Sequence, residues 1–207
     1  MYIAGQGVIP VTRKQPFRLR SAGAEAIIAS LKDAGLDRKA VGAVYAGNML
    51  SGMLSNQQNV AALLATEAGL HGVEVATAEV CCGSGAAAMR WGMMSLLSGI
   101  HETVVIAGVE AMTHVDLDIV TRSLVTASDW DSEGGTGETF ISLNGVLMDL
   151  YMKKYNVDRE GFYPFSAVAH QNALTSPHAL IKKAVSADDY KNSKVHSFFH
   201  FSFLSHT

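Results

Sequence analysis

Glu79-Val80-Cys81-Cys82-Gly83-Ser84-Gly85 joins an apolar, strand-like run, Val73 to Val80, to a helix rich in small residues, Ala86 to Leu97. A strand that runs straight into a helix is the unit of parallel sheets, because the helix carries the chain back across the sheet. Both cysteines of the chain lie in this junction, side by side. A helix start leaves N–H groups unpaired and carries the positive end of the helix dipole. A thiol there is favoured as thiolate, the form that attacks carbonyl carbon. The glycines let the backbone turn tightly and bring a substrate close. The stretch therefore reads as the nucleophile turn of a cysteine enzyme that transfers acyl groups.

Outward from this turn, strand and helix signals alternate. Tyr2 to Val8 reads as a strand, and Ser21 as the cap of a helix reaching Asp33 and closed by Gly35. Val41 to Tyr45 is the next strand, Asn56 to Thr66 a helix, and Thr103 to Gly108 a fourth strand. The order β-α-β-α-β-α-β predicts an α/β fold with a parallel-rich sheet covered by helices. The apolar run around Ile106 suits a strand buried on both faces.

Past Glu110 the pattern changes. Asp116 to Thr136 is polar and Gly-rich and reads as an exposed connection. Phe140 to Tyr155 reads as a helix, with Met148, Leu150, Met152 and Tyr155 available for a buried face. Asp158 and Ser186 read as caps of helices through Ala173 and Lys191. The expected organisation is a sheet domain over 1–115, a partial helical loop domain over 116–195, and a tail over 196–207. That tail holds four phenylalanines, three serines and three histidines and follows neither the helical nor the strand period.

Composition excludes several classes. The 207 residues, 48% apolar and 17% charged, describe a compact folded chain. A formal charge of −3, with no long basic run, gives no reason to expect nucleic acid. The longest apolar stretch, Ala86 to Leu97, is too short to cross a membrane and carries Arg90. Two adjacent cysteines cannot staple distant segments, which favours a reducing compartment. Nor does the pair, without nearby ligands, suit a metal. Met1 to Pro10 lacks the pattern of a signal peptide. A cytoplasmic location is expected, with peroxisome and mitochondrion as alternatives.

Most other candidate residues have a structural reading. Cys81 is expected on the opposite side of the extended segment from Cys82, as packing. Ser84 and Gly85 read as helix-entry residues, and Glu79 and Glu110 as hydrogen-bonding groups at strand ends. His101 reads as a surface cation at a helix end, His170 and Asn172 as exposed, and Met89, Met93 and Met94 as core. Gly83-x-Gly85-x-x-Ala88 with Glu110 imitates a dinucleotide fingerprint, so a nicotinamide-binding protein is one alternative class. The unit stands third in the alternation rather than first, and that reading leaves the cysteines unexplained.

On these residues the chain resembles the thiolases. Cys82-Gly83-Ser84-Gly85 is similar to the family's nucleophile motif, Cys-x-Ser-Gly at a strand-to-helix junction. Ser98 to Thr113 is similar to the helix end, strand and turn that follow it. Glu79 stands where many thiolases have asparagine, which resembles the archaeal and sterol-carrier-protein type branch. Leu150 to Glu160, Ala169 to Ala173 and Ser186 to Tyr190 resemble that branch's helical loop domain. The resemblance implies that Cys82 accepts an acyl group from a coenzyme A thioester, followed by Claisen condensation or its thiolytic reverse. It implies no separate cofactor, coenzyme A being part of the substrate, and a homo-oligomer, dimer or tetramer. Thiolases are about twice as long, and their second half carries a Gly-His-Pro histidine and a second catalytic cysteine. Neither occurs here, and no cysteine follows Cys82. The expectation is thus a truncated thiolase-like acyltransferase, with a non-catalytic assembly partner or a ketoacyl synthase-like condensing enzyme as alternatives.

Overall fold

The computed structural model describes residues 1–12 and 18–193. The tail expected over 196–207 lies outside the described residues. The chain divides into two compact units, one ending at Ser123 and one beginning at Leu124.

The first unit is built on three parallel strands, β1 (Ala43–Gly47), β2 (Glu74–Ala78) and β3 (Val104–Gly108), in the order β2-β1-β3. Ala43 pairs with Glu74 and Val104, and Gly47 with Ala78 and Gly108, so the three strands finish level. Every residue of the central strand is buried. Its alternate side chains serve two cores, as the two-residue strand period requires. Val44 and Ala46 pack with Ile27 and Leu31 of α1 (Leu19–Ala34) and Val60 and Leu64 of α3 (Val60–Glu67). Ala43 and Tyr45 pack with Ala88 of α4 (Ser84–Leu97). Gly23 lets α1 seat on α3, because a Cβ there would lie 2.6 Å from a Leu64 methyl carbon.

Several expectations need correction. Tyr2–Val8 pairs with no described strand. Gly5 and Gly7 instead press against α1, where a Cβ on Gly5 would lie 2.5 Å from the Ala34 nitrogen, and the Gln6 N–H donates to Asp33 Oδ2 at 2.9 Å. The sheet among the described residues therefore has three strands, not four. α1 begins before Ser21 and lacks a side-chain cap, although Gly35 closes it at φ 64° as expected. α3 starts at Val60 rather than Asn56 because Asn59, at φ 57°, breaks the helix. A short helix, α2 (Ser51–Leu54), had no periodic signal. Helix α5 (Leu117–Leu124) occupies part of the stretch read as an irregular connection.

The second unit is helical. α6 (Phe140–Tyr155) starts at a Thr139–Ser142 capping box, and α8 (Ala187–Lys191) at a Ser186–Asp189 box. Between them α7 (Tyr163–Thr175) follows a 3-10 turn over Arg159–Phe162, and Asp158 makes no side-chain cap there. No residue of α6 is buried. Leu150 and Tyr155 are exposed, so the buried face expected for this helix is not formed.

Candidate active site

The Cys81–Cys82 turn lies at the carboxyl end of the sheet, where β2 stops at Ala78 and α4 starts at Ser84. In parallel α/β sheets this is the end at which ligands bind. The turn is tied by its own residues. The buried Ser84 hydroxyl accepts the Val80 N–H at 3.0 Å and donates to the Cys81 carbonyl at 2.7 Å. The Cys81 N–H donates to Glu79 Oε1 at 2.6 Å, and the Gly83 N–H to the Val80 carbonyl at 2.8 Å. Gly83 is the helix N-cap and supplies no side-chain acceptor.

Cys82 is exposed and Cys81 half-buried; both are free thiols. Cys81 has φ 47°, a conformation that residues with a side chain seldom adopt and that costs roughly 1–3 kcal/mol. Burial, reinforced by the Glu79 carboxylate, pushes the Cys81 thiol above its ordinary pKa. It is therefore held as the neutral thiol, while its neighbour Cys82 faces solvent.

Two residues not singled out by sequence reasoning shape the ground beneath the turn. Gly47 ends β1 against the start of α4, where a Cβ would lie 2.6 Å from the Gly85 nitrogen and the Ser84 carbonyl carbon. Next to it the buried Asn48 donates to the Val109 carbonyl at 2.8 Å and to Glu110 Oε1 at 3.1 Å, and its Oδ1 accepts the Ser51 N–H at 3.1 Å. The other Glu110 oxygen accepts the N–H groups of Met49 and Leu50 at 3.0 and 3.1 Å. Glu110 is thus a strut between the ends of β1 and β3, with its carboxylate engaged by the chain's own donors. The only sequence signal was a Gly-Asn pair directly after an apolar strand.

The remaining expected positions fall elsewhere. His101 is half-buried rather than a surface cap. Its Nδ1 lies 2.7 Å from Ser95 Oγ and its Nε2 4.0 Å from Glu74 Oε2, at the opposite end of the sheet. His170 Nδ1 meets the Lys183 carbonyl at 2.7 Å, and Asn172 is exposed. Met89, Met93 and Met94 are exposed rather than core. Among the described residues, the histidine hydrogen bonds run to Ser95, Leu54 and Lys183, none to a cysteine. No described group of histidine, cysteine or carboxylate side chains is arranged to hold a metal.

Residues 7–195 match the family model for the thiolase N-terminal domain. An acetyl-CoA acetyltransferase of Methanothermobacter thermautotrophicus is 36% identical over 169 residues, which cover 82% of this chain and 44% of that protein. One of Methanocaldococcus jannaschii is 33% identical over 174 residues, covering 84% of this chain and again 44% of the relative. The chain thus spans less than half the length of these relatives. Among solved structures, the Ltp2-ChsH2(DUF35) aldolase shares the fold, with a TM-score of 0.74 at 19% identity, over 94% of this chain and 49% of that one. A parallel strand-turn-helix unit with Cys82 at its turn, matched along nearly the whole described length, makes this chain a member of the thiolase family.

Proposed function

We propose that the chain carries the acyl-accepting part of a thiolase-type acyltransferase. Cys82 attacks the carbonyl of a coenzyme A thioester, an S–C bond forms as the bond to the coenzyme A sulfur breaks, and coenzyme A leaves as the thiol. The single observation that carries this reading is the exposed Cys82 on a turn tied by Ser84 and Glu79 at the start of α4. The names of the archaeal relatives support an acetyl group. Condensation or thiolysis needs, in addition, a base and donors for the enolate oxygen. Among the described residues the histidine hydrogen bonds run elsewhere than Cys82, so the proposal is limited to the acylation step.

The test is to incubate the chain with acetyl-CoA and to follow free thiol release and the mass of the Cys82 peptide. One acetyl group on Cys82, absent in Cys82→Ala, is the expected result. No acetylation under conditions where Cys82 still reacts with iodoacetamide would sink the reading. A second reading, a non-catalytic assembly partner, is favoured by the apolar residues that α4 leaves exposed. It predicts that Cys82→Ala keeps the assembly and its cellular role.

A further inference from the structure

The turn places a second thiol directly beside the nucleophile, on a backbone that is not extended. Resting on the reading of Cys82 as the nucleophile, we propose that Cys81 is its resolving thiol. Hydrogen peroxide oxidises Cys82, and the two residues close a vicinal disulfide that a dithiol reductant reopens.

Cys82 is open to a small oxidant, whereas Cys81 is half-buried. In an extended chain neighbouring side chains point to opposite faces, which would keep the sulfurs apart. Cys81 at φ 47° leaves that regime. The alternation between residues 81 and 82 is therefore broken. The bonds from Glu79 and Ser84 hold this conformation in place before any oxidation.

The chemistry balances with peroxide as the only added reagent. The Cys82 sulfur attacks one peroxide oxygen. An S–O bond forms, the O–O bond breaks, and the departing oxygen takes up a proton to leave as water. Cys82 is now a sulfenic acid, oxidised by two electrons. The Cys81 sulfur attacks it, an S–S bond forms as the S–O bond breaks, and the hydroxyl leaves as a second water with the Cys81 proton.

Ring size predicts a labile product. Adjacent Cα atoms are about 3.8 Å apart across a trans peptide. Ordinary disulfides span roughly 4.4–6.8 Å between Cα atoms. The ring is therefore strained and easily reduced, as regulatory disulfides are. Its use is protection: the sulfenic acid is captured before a second peroxide carries it to the irreversible sulfinic acid.

The test treats the whole chain with hydrogen peroxide and maps the peptide that contains both cysteines, before and after dithiothreitol. The expected product is the peptide lighter by two hydrogens, with full recovery of both thiols. Cys81→Ser and Cys81→Ala, each checked for native circular dichroism, should instead accumulate sulfinic acid on Cys82 and lose thiol that dithiothreitol cannot restore. Sulfinic acid in the unmodified chain at the rate seen in these variants would overturn the proposal, as would a disulfide only between chains. Acetylation of Cys82 is scored separately, so failure of the acyl-transfer reading is distinguishable from failure of this one.

Discussion

Gly47 decides how closely β1 can approach the first turn of α4, and hence where Cys82 sits. The atoms a Cβ would meet there are backbone, at 2.6 Å, so no side chain can swing aside. Gly47→Ala should cost about 1–3 kcal/mol, the usual penalty for overpacking. It should also lower Cys82 acetylation by more than the loss of folded protein explains; denaturant melts beside mass spectrometry separate the two. Tyr45 gives a residue-level pH effect. Burial, opposed by a Ser95 hydrogen bond and helped by Glu74, lifts its phenol above 10.0. The folded chain then keeps a proton that the unfolded chain gives up, so this contribution is complete below pH 10.0 and is lost as pH rises through the folded value. Tyr45→Phe should flatten the alkaline arm of the stability curve. It should also remove the 2.7 Å bond to Glu74, worth about 0.5–1.5 kcal/mol. An unchanged alkaline slope would contradict the assignment.

At the scale of elements, α4 shows what the sequence did and did not reveal. Its existence and end were legible from the helical pattern and the Cys-Cys-Gly-Ser-Gly turn, but its buried face was not. Hydrophobicity alone selects the methionines. The helix buries Ser84, Ala88, Gly92 and Ser95 instead. Size decides this, since a Cβ on Gly92 would lie 2.8 Å from Ile106 side-chain carbons, and only a small-residue stripe lets the helix rest on the sheet. Tyr2–Val8 failed as a strand for a related reason: Gly5 and Gly7 fit against α1, and the apolar residues around them stay exposed. The position of Cys82 was readable because its motif is local. The Asn48–Glu110 strut and the Ser95–His101–Glu74 cluster were not, because their partners meet only through folding. α2 depends on that strut for the donors before it, so Glu110→Ala leaves the Met49 and Leu50 N–H groups without their acceptor. The expected cost is about 1–3 kcal/mol. Hydrogen exchange should accelerate over residues 49–51 while β2 stays protected. Uniform acceleration would mean that the strut stabilises the unit globally rather than α2 in particular.

At the scale of the whole molecule, the first unit leaves apolar surface open. Met89, Met93 and Leu97, spaced four residues apart on one face of α4, are 46%, 41% and 74% exposed. Met94 and Ile100 add to them at 55% and 71%. Large side chains grouped in this way mark a surface meant to be covered. The matched relatives are more than twice as long as the aligned segment, so they contain chain that could cover it. Without such a cover, water meets the face directly, and the chain should lower its free energy by pairing that face with another copy. The 207-residue chain is therefore expected to bind an apolar fluorescent dye and to sediment as more than a monomer. The double variant Met93→Glu/Leu97→Glu should abolish both effects. Because neither side chain contributes to the buried stripe, its circular dichroism should stay native. A monomeric, dye-free parent chain would show that this face needs no partner. Self-association that survives the double variant would move the contact to another surface, with the exposed second-unit residues Leu147, Tyr151 and Phe165 next in line.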